Sequence, residues 1–445
     1  MMETSQIVTL VIFLSAIGLV ISGVIDVVVA AFLGVFCMVA AGSMSEVGAF
    51  QAVEWNVICI LLGIWTIALY FGKTGIPEWL AGRALRYSRG KIAIFCTFMG
   101  SLAGILSMFI DNVVVILMMA PVIFHVTRRV KLNSFPFLIF IGLCANFYGT
   151  ALLLGDLPPQ MLHGVSGIEF LGFIWHSGRP SSFIILSIVF FTVVWLFYRR
   201  FRKTYGGDEI DKEEVEALLR EDYVKDKKFA WIVVGMFLAT ILAMSLRKLI
   251  GVKLGFITLT GASVLVLLLE VLRKPLRMEV ASLEKILSEF DWRAIFFYIL
   301  LFALVGGLEH SGIIKLMADA IVPIIRKNYI LGASLVYWVT TPIVGIVEHD
   351  AYILTFLYVF RDLETYYGIN PWPLYWVMLW AGTLGSNLTI AGAPALLVAL
   401  NLSQREDKRK IPLKEFLSYS APYVVYSHVI CFILALFVWI LPLAP

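Results

Sequence analysis

The sequence is short of charged residues, which make up only 15% of its 445 positions, against about 25% in ordinary soluble domains. Hydrophobic residues fill 60% of the chain, and the mean hydropathy is +0.90. This composition excludes a soluble globular protein and indicates a polytopic membrane protein. The formal net charge of +4 is modest, so we expect no nucleic acid among its partners.

Disulfide and metal-binding patterns are also missing. Each of the five cysteines lies in an apolar run, and no C-x-x-C pair occurs among them: Cys37, Cys59, Cys96, Cys144 and Cys431. We therefore predict neither a disulfide framework nor a cysteine metal site. The H-E-x-x-H spacing of zinc enzymes is absent as well. An intramembrane metalloenzyme is thus disfavoured, and we expect no enzyme activity and no cofactor beyond a coupling ion, Na⁺ or H⁺.

Apolar runs long enough to cross a bilayer, which takes about 20 residues of helix, recur along the whole chain. They predict ten spans, near residues 7–24, 25–43, 55–72, 135–160, 181–198, 229–246, 254–272, 292–309, 373–400 and 417–442. Two further apolar segments, at about 92–127 and 329–360, each carry acidic residues in the middle. We predict that these two segments are re-entrant hairpins.

Basic residues flank the first of these segments on both sides. Lys73, Arg83 and Lys91 precede it, and Arg128 and Arg129 follow it. Because Lys and Arg are enriched in cytoplasmic loops, both ends of the segment are predicted to lie on the cytoplasmic side. Irregular backbone at the turn between the two arms is tolerated there only if protein buries it or water reaches it.

A charged segment at 204–228 divides the chain into two similar halves. We predict a first repeat over 1–203, a cytoplasmic linker over 204–228 and a second repeat over 229–445. Each repeat has a hairpin followed by a broken helix, at about 135–160 and 373–400, and the second half begins on the opposite side of the membrane. The predicted fold class is an all-α polytopic membrane protein with two inverted-topology repeats, each of about five transmembrane helices plus a re-entrant hairpin and a broken helix.

Four carboxylates lie inside or beside these apolar segments: Asp111, Asp156, Glu348 and Asp350. Each costs about 3 kcal/mol at the bilayer centre on insertion scales, so they must be paired, protonated, hydrated or bound to a cation. Carboxylates that share a site release their protons in coupled steps, and histidine, which occurs here as His349, is in general the side chain that changes charge near neutral pH. The alternative is a structural role, with Asp111 and Asp350 capping helices and Asp156 in a turn at the membrane surface.

Two pairs of motifs resemble the ion transporter superfamily. FIDNVVVILMMAPV (109–122) followed by ANFYGTALLLGDLPPQM (145–161) is similar to the signature of its branch of arsenite permeases, NhaD-type sodium/proton antiporters, P-protein and citrate-transporter-like members. LFALVGGLEHSGI (301–313) and GSNLTIAGAPA (385–395) resemble its mid-chain and second-half patterns. The chain departs from the family at the second hairpin, which reads Glu-His-Asp, and at Tyr148 and Gln160.

In that superfamily, each hairpin tip and the broken helix that faces it form half of a central ion and substrate site. The resemblance implies these binding residues: Asp111, Asn112, Asn146, Gly149, Thr150, Gly155 and Asp156 in the first half, and Glu348, His349, Asp350, Ser386, Asn387 and Thr389 in the second. A Na⁺ ion is expected at Asp111, Asn112, Asn146 and Asn387. The alternative for the amides and hydroxyls is hydrogen bonding between helices. The resemblance also implies a homodimer.

Together these features predict a multi-pass secondary active transporter of a small ion, coupled to protons or sodium, in the plasma membrane. The acidic tips favour cation/proton antiport by alternating access. Arsenite efflux is the second choice and transport of a citrate-like organic anion the third. A passive channel is disfavoured because it would leave the inverted repeat without an obvious purpose.

Overall fold

The computed structural model describes residues 3–22, 24–209, 223–347, 349–390 and 392–444. Glu348 and most of the predicted linker lie outside these ranges. The described chain is almost entirely helical. Its one small sheet is an antiparallel pair, β1 (Trp175–His176) and β2 (Arg179–Pro180).

The first half contains ten helices among the described residues. They are α1 (Thr4–Ser22), α2 (Val27–Ala40), α3 (Glu46–Gln51), α4 (Trp55–Gly72), α5 (Ile76–Ser88), α6 (Ile92–Ser107), α7 (Asn112–Arg129), α8 (Phe135–Gly149), α9 (Leu157–Ser166) and α10 (Ser182–Tyr205). A 3₁₀ turn (Phe170–Phe173) lies between α9 and the β-hairpin.

The described part of the second half repeats this order, and each helix takes its counterpart's number plus ten. They are α11 (Lys227–Ser245), α12 (Leu254–Leu276), α13 (Leu283–Ser288), α14 (Trp292–His310), α15 (Ile313–Lys327), α16 (Tyr329–Val344), α17 (His349–Tyr367), α18 (Trp372–Ser386), α19 (Pro394–Asp407) and α20 (Leu413–Ala435). A helical turn (Arg247–Ile250) precedes α12, and a π-helical turn (Leu436–Ile440) and a last short helix (Leu441–Leu443) follow α20.

The two halves match without a gap in register from α3 to the start of α9. Helix α4 begins at Trp55 and α14 begins 237 positions later (292 minus 55). The same offset separates the first residues of α3 and α13, of α5 and α15, and of each later pair through α9 and α19. Local contacts repeat as well, since the indole Nε1 of Trp55 donates to the Phe50 carbonyl and that of Trp292 to the Leu287 carbonyl.

Each predicted hairpin is a pair of helices with a short break. Helix α6 ends at Ser107 and α7 begins at Asn112, while α16 ends at Val344 and α17 begins at His349. The two broken helices are α8 with α9 and α18 with α19, so they extend beyond the predicted ends at 160 and 400.

Eight helical segments of the described chain are long and apolar enough to cross a membrane: α1, α4, α7, α10, α11, α12, α14 and α20 with its extension. The fold class is confirmed, while the division at 204–228 stays a prediction.

The helices form two groups. The scaffold consists of α1, α2, α4, α11, α12 and α14, with α4 packed closely along α12. The hairpin bundle consists of α6–α10 and α16–α20. Helices α5 and α15 join them, and each packs on both arms of the hairpin that follows it. The two groups touch where α4 meets α9 and where α14 meets α17.

Two ion pairs define the two faces of the molecule. On the linker face, Lys73 at the end of α4 contacts Glu289 just before α14, with Nζ and Oε1 2.6 Å apart. On the outer face, Arg361 of α17 contacts Glu309 near the end of α14, with Nη2 and Oε1 2.7 Å apart. Helices α4 and α14 are therefore antiparallel. The positive-inside rule predicts that the linker face is cytoplasmic.

Candidate functional site

The first hairpin tip is held by Asp111, which serves as the N-cap of α7. Its Oδ1 accepts hydrogen bonds from the backbone N–H groups of Val113, at 2.9 Å, and Val114, at 3.2 Å. The same side chain lines the central cavity. The structural role that the sequence left open is therefore present, together with a position at the cavity wall.

Buried amides join the first tip to both broken helices. The Nδ2 of Asn112 donates to Oδ1 of Asn146 at 3.0 Å. The Nδ2 of Asn146 in turn donates to Ser386 Oγ and Asn387 Oδ1, each at 3.0 Å. Asn146, Ser386 and Asn387 are fully buried. Asn146 is thus one point, beside the cavity, at which side chains from the two repeats meet.

The remaining described carboxylates come from the opposing elements. Asp156 caps α9, with Leu157 N–H donating to its Oδ1 at 2.9 Å. Asp350 and His349 open α17 and are both buried, with His349 Nε2 3.3 Å from Asp350 Oδ1. Asp156 lies within electrostatic range of Asp350, His349 and Asp111. The predicted Glu348 lies outside the described residues.

A cavity of about 400 Å³ collects these groups. Its predicted lining residues are Asp111, Asn112, Asn146, Asp156, His349 and Asp350. The scaffold supplies the opposite wall, including Trp65 of α4 and Tyr298 of α14. The cavity reaches the linker face, where Glu289 and Asp291 also line it. Among the described lining residues none is Lys or Arg.

Other predicted site residues lie behind the cavity wall. The Thr150 carbonyl accepts a hydrogen bond from Ser182 Oγ at 3.1 Å. Thr389 Oγ1 donates to the Gly345 carbonyl at 2.5 Å and so joins the second break to the second hairpin. These two residues, Gly149, Gly155, Ser386 and Asn387 are not among the described residues that line the cavity. Ser386, Asn387 and Thr389 make side-chain hydrogen bonds of the kind that the alternative requires. The buried Thr150 hydroxyl makes none to the described residues.

The two glycines let a hairpin tip approach the break in its broken helix. A Cβ at Gly155 would lie 2.0 Å from the Ser107 carbonyl oxygen, and one at Gly149 would lie 3.1 Å from Ser107 Oγ. Gly392, 237 positions after Gly155, plays the same part in the second half, because its Cβ would lie 2.8 Å from the Val344 carbonyl oxygen. Gly392 was not among the predicted site residues, although the register of the repeat points to it.

The acids at the mouth of the cavity and the aromatic residues of its wall were also not among the predicted site residues. Glu289 and Asp291 directly precede a predicted span, where a charged residue is usually solvated. Trp65 and Tyr298 lie inside predicted spans, where aromatic residues are common. Trp65 and Tyr298 line the cavity because α4 and α14 are antiparallel and lie on the same side of it. No local sequence pattern predicts this arrangement.

Comparison with known proteins places this architecture among transporters. Residues 17–381 match the family model described as a citrate transporter. An uncharacterized transporter of Mycobacterium tuberculosis is 26% identical over 378 residues, which cover 83% of this chain and 84% of that protein. The human P protein is 23% identical over 506 residues, 96% of this chain and 59% of the P protein.

Two solved structures share the fold. The YdaH transporter of Alcanivorax borkumensis, described as having an unusual topology, matches with a TM-score of 0.59 and 13% identity over 90% of this chain and 88% of that chain. MtrF of Neisseria gonorrhoeae, described within a class of antimetabolite efflux pumps, matches with a TM-score of 0.55 and 12% identity over 86% and 81%. Because the family model covers most of its length, this multi-pass membrane protein is a secondary transporter that belongs to the citrate transporter family.

Proposed function

We propose that this chain exchanges a small cation for protons across the membrane by alternating access, with Na⁺ as the first candidate cation. One observation carries the proposal. Asp111, Asp156 and Asp350 face one cavity, and the described lining contains no Lys or Arg.

Electrostatics favour a cation over a free multivalent anion at this place. A negative charge held about 5 Å from one ionised carboxylate is repelled by about 3 kcal/mol at an effective dielectric constant of 20. Three such carboxylates, with Asp291 at the mouth, multiply this penalty unless protons or cations neutralise them. Glu289, also at the mouth, is already paired with Lys73. A cation and a proton that compete for the same carboxylates are the minimal basis of an antiport cycle.

The arrangement of the two helix groups supports alternating access. The cavity reaches the linker face, while on the outer face the pair Arg361–Glu309 ties the hairpin bundle to the scaffold. Exposure of the site to the outer face requires this tie to break as the bundle moves. We also propose that the protein is a homodimer in the plasma membrane, joined through the scaffold.

The second candidate is transport of a citrate-like organic anion, which the family description favours. In that case the carboxylates must be protonated or bound to cations before the anion enters. Arsenite efflux remains a third candidate, because arsenite crosses as a neutral hydroxide and needs no cationic residue in the site.

The test is a flux assay in sealed liposomes with imposed pH gradients, with and without Na⁺. Asp111→Asn and Asp226→Asn form a matched pair. Both aspartates cap a helix through Oδ1 and two backbone N–H groups, and Asn caps as well as Asp. Only Asp111 lines the central cavity, whereas Asp226 lies on the linker face.

We expect cation-dependent proton flux in the wild type and in Asp226→Asn, and its loss in Asp111→Asn. Radiolabelled citrate, offered under the same gradients, should not accumulate. Unchanged proton flux in Asp111→Asn would overturn the proposal. Accumulation of citrate, with or without Na⁺, would overturn it in favour of the organic-anion alternative.

A further inference from the structure

A chain of hydrogen bonds on the outer face joins the hairpin bundle to the scaffold. His163 lies in the last turns of α9, and Asn56 lies at the start of α4. The His163 Nε2 and Asn56 Nδ2 atoms are 2.9 Å apart. Asn56 Oδ1 accepts a hydrogen bond from the backbone N–H of Gly255, in α12, at 2.9 Å. His163 Nδ1 lies 2.6 Å from the Ile168 carbonyl oxygen.

The partners at both ends fix the direction of every bond in this chain. The Ile168 carbonyl can only accept, so His163 Nδ1 carries a proton and donates it. The Gly255 N–H can only donate, so Asn56 presents Oδ1 to Gly255 and Nδ2 to the imidazole. His163 Nε2 must then accept from Nδ2. The complete chain therefore exists only while His163 is neutral.

Protonation of His163 breaks the chain at its centre. An imidazolium donates from both nitrogens, so its Nε2–H would face the Nδ2 hydrogens of Asn56. Rotating the amide of Asn56 by 180° would present Oδ1 to the imidazolium, but it would then set Nδ2 against the Gly255 N–H. Either orientation leaves one donor facing another. His163 is buried, with 5% of its surface exposed, so water cannot readily replace the lost partner.

These hydrogen bonds lie between the hairpin bundle and the scaffold, so breaking them weakens the contact between the two groups of helices. Helix α9 belongs to the hairpin bundle, while α4 and α12 belong to the scaffold, and α4 with α9 is one of the places where the two groups touch. Gly255 permits the close approach, since a Cβ there would lie 2.6 Å from the Asn56 carbonyl oxygen. The outer face lies opposite the mouth of the cavity.

We propose that His163 and Asn56 form a proton-sensitive latch that holds the outer face closed while His163 is neutral and releases it when His163 is protonated. The latch deepens the alternating access proposed above and rests on it for its part in transport. It places a proton-sensing position on the outer face, separate from the carboxylates of the cavity.

Several charged or titratable groups surround the latch. Glu169 and Arg247 act on His163 directly and form an ion pair with each other. Burial raises the pKa of Glu54, at the start of α4, so its titration must be controlled separately. The charged or titratable groups that act on His163, Glu54 or Tyr358 are Glu54, Glu169, Arg247, Lys253, Glu309 and Arg361. At the other end of α9, His349 and Asp350 of α17 act on Asp156.

The test uses amide hydrogen exchange of the full chain in lipid nanodiscs, where both faces meet the same buffer. Exchange of the segment 157–168 is measured at about pH 7.5 and about pH 4.5 and is corrected for the intrinsic rate. The lower pH is needed because burial lowers the pKa of His163 below the ordinary histidine value of about 6.5. In the wild type we expect about tenfold faster corrected exchange at the lower pH, the factor that corresponds to loss of one buried hydrogen bond.

Asn56→Asp is the decisive variant, because a carboxylate accepts from both Gly255 N–H and a protonated His163. It should invert the pH dependence, with stronger protection at the lower pH. His163→Gln should abolish the dependence, and Glu54→Gln should keep the wild-type response. If the contact between His163 and Asn56 were purely structural, each of these two substitutions would instead weaken the protection of segment 157–168 equally at both pH values.

Wild-type exchange that does not change with pH, or an Asn56→Asp variant that keeps the wild-type direction, would overturn the latch. Flux is measured on the same variants in liposomes. An inverted exchange profile in Asn56→Asp supports the latch even where cation/proton flux is absent, and the absence of flux then counts against the proposed function alone.

Discussion

The Asn146→Leu substitution removes a buried side chain through which the two repeats contact each other beside the cavity. Asn146 accepts one hydrogen bond from Asn112 and donates two, to Ser386 and Asn387, all at 3.0 Å, and it is fully buried. Leucine has a similar volume and can fill the space, so the change mainly removes polar contacts. The loss therefore falls on the junction between the halves and not on packing.

The magnitude follows from the number of bonds. Hydrogen bonds between helices inside a membrane protein contribute about 0.6 kcal/mol each, so three of them give about 2 kcal/mol. A buried amide or carbonyl that loses its partner adds about 1–3 kcal/mol. We expect Asn146→Leu to lower the free energy of unfolding by about 2–5 kcal/mol.

The assay is reversible denaturant unfolding in mixed micelles, followed by tryptophan fluorescence. Asn401→Leu is the matched control, because Asn401 is exposed on α19 and its loss should change stability by less than about 0.5 kcal/mol. A drop below about 1 kcal/mol for Asn146→Leu, or one equal to that of the control, would refute the view that Asn146 ties the repeats together.

Two further substitutions probe the contacts around the site. Gly155→Ala would put a methyl group 2.0 Å from the Ser107 carbonyl oxygen. We expect this clash to destabilise the protein by about 1–3 kcal/mol, measured as a fall in Tm. The control Gly235→Ala, whose added methyl group would have nothing within 4 Å, should not lower the Tm. Arg361→Gln breaks a half-exposed ion pair with Glu309 and should lower the free energy of unfolding by at most about 1 kcal/mol. A double-mutant cycle with Glu309→Gln measures the coupling between the two side chains. Additive effects of the two substitutions would show that the pair contributes nothing to stability.

The sequence predicted the site residues of the hairpin tips and broken helices better than the scaffold residues that line the opposite side of the cavity. Asp111 could be placed at a hairpin tip because basic residues flank the segment on both sides and a lone carboxylate is rare in an apolar run. Asp156 was harder, since a turn at the membrane surface explained it equally well. The structure places both beside the same cavity, although their part in transport stays a prediction.

The orientation of the broken helices could not be read from the sequence for a physical reason. Every residue of α8 is buried, so no polar stripe marks the side that faces the cavity. Asn146 and Thr150 are one turn apart with similar chemistry, yet only Asn146 lines the cavity. Tertiary packing alone separates them.

The constant offset of 237 residues pairs Asp156 with Ala393. The two repeats have the same shape but carry different charges at equivalent positions. When each repeat adopts the conformation of the other, the charges around the cavity are therefore arranged differently. The two end states of the cycle then differ in energy even with identical solutions on both sides. The same offset pairs Asp350 with Val113, so each half carries an acid that the other lacks. The difference in energy favours one resting orientation of the carrier, while the direction of net transport is still set by the solutions on the two sides.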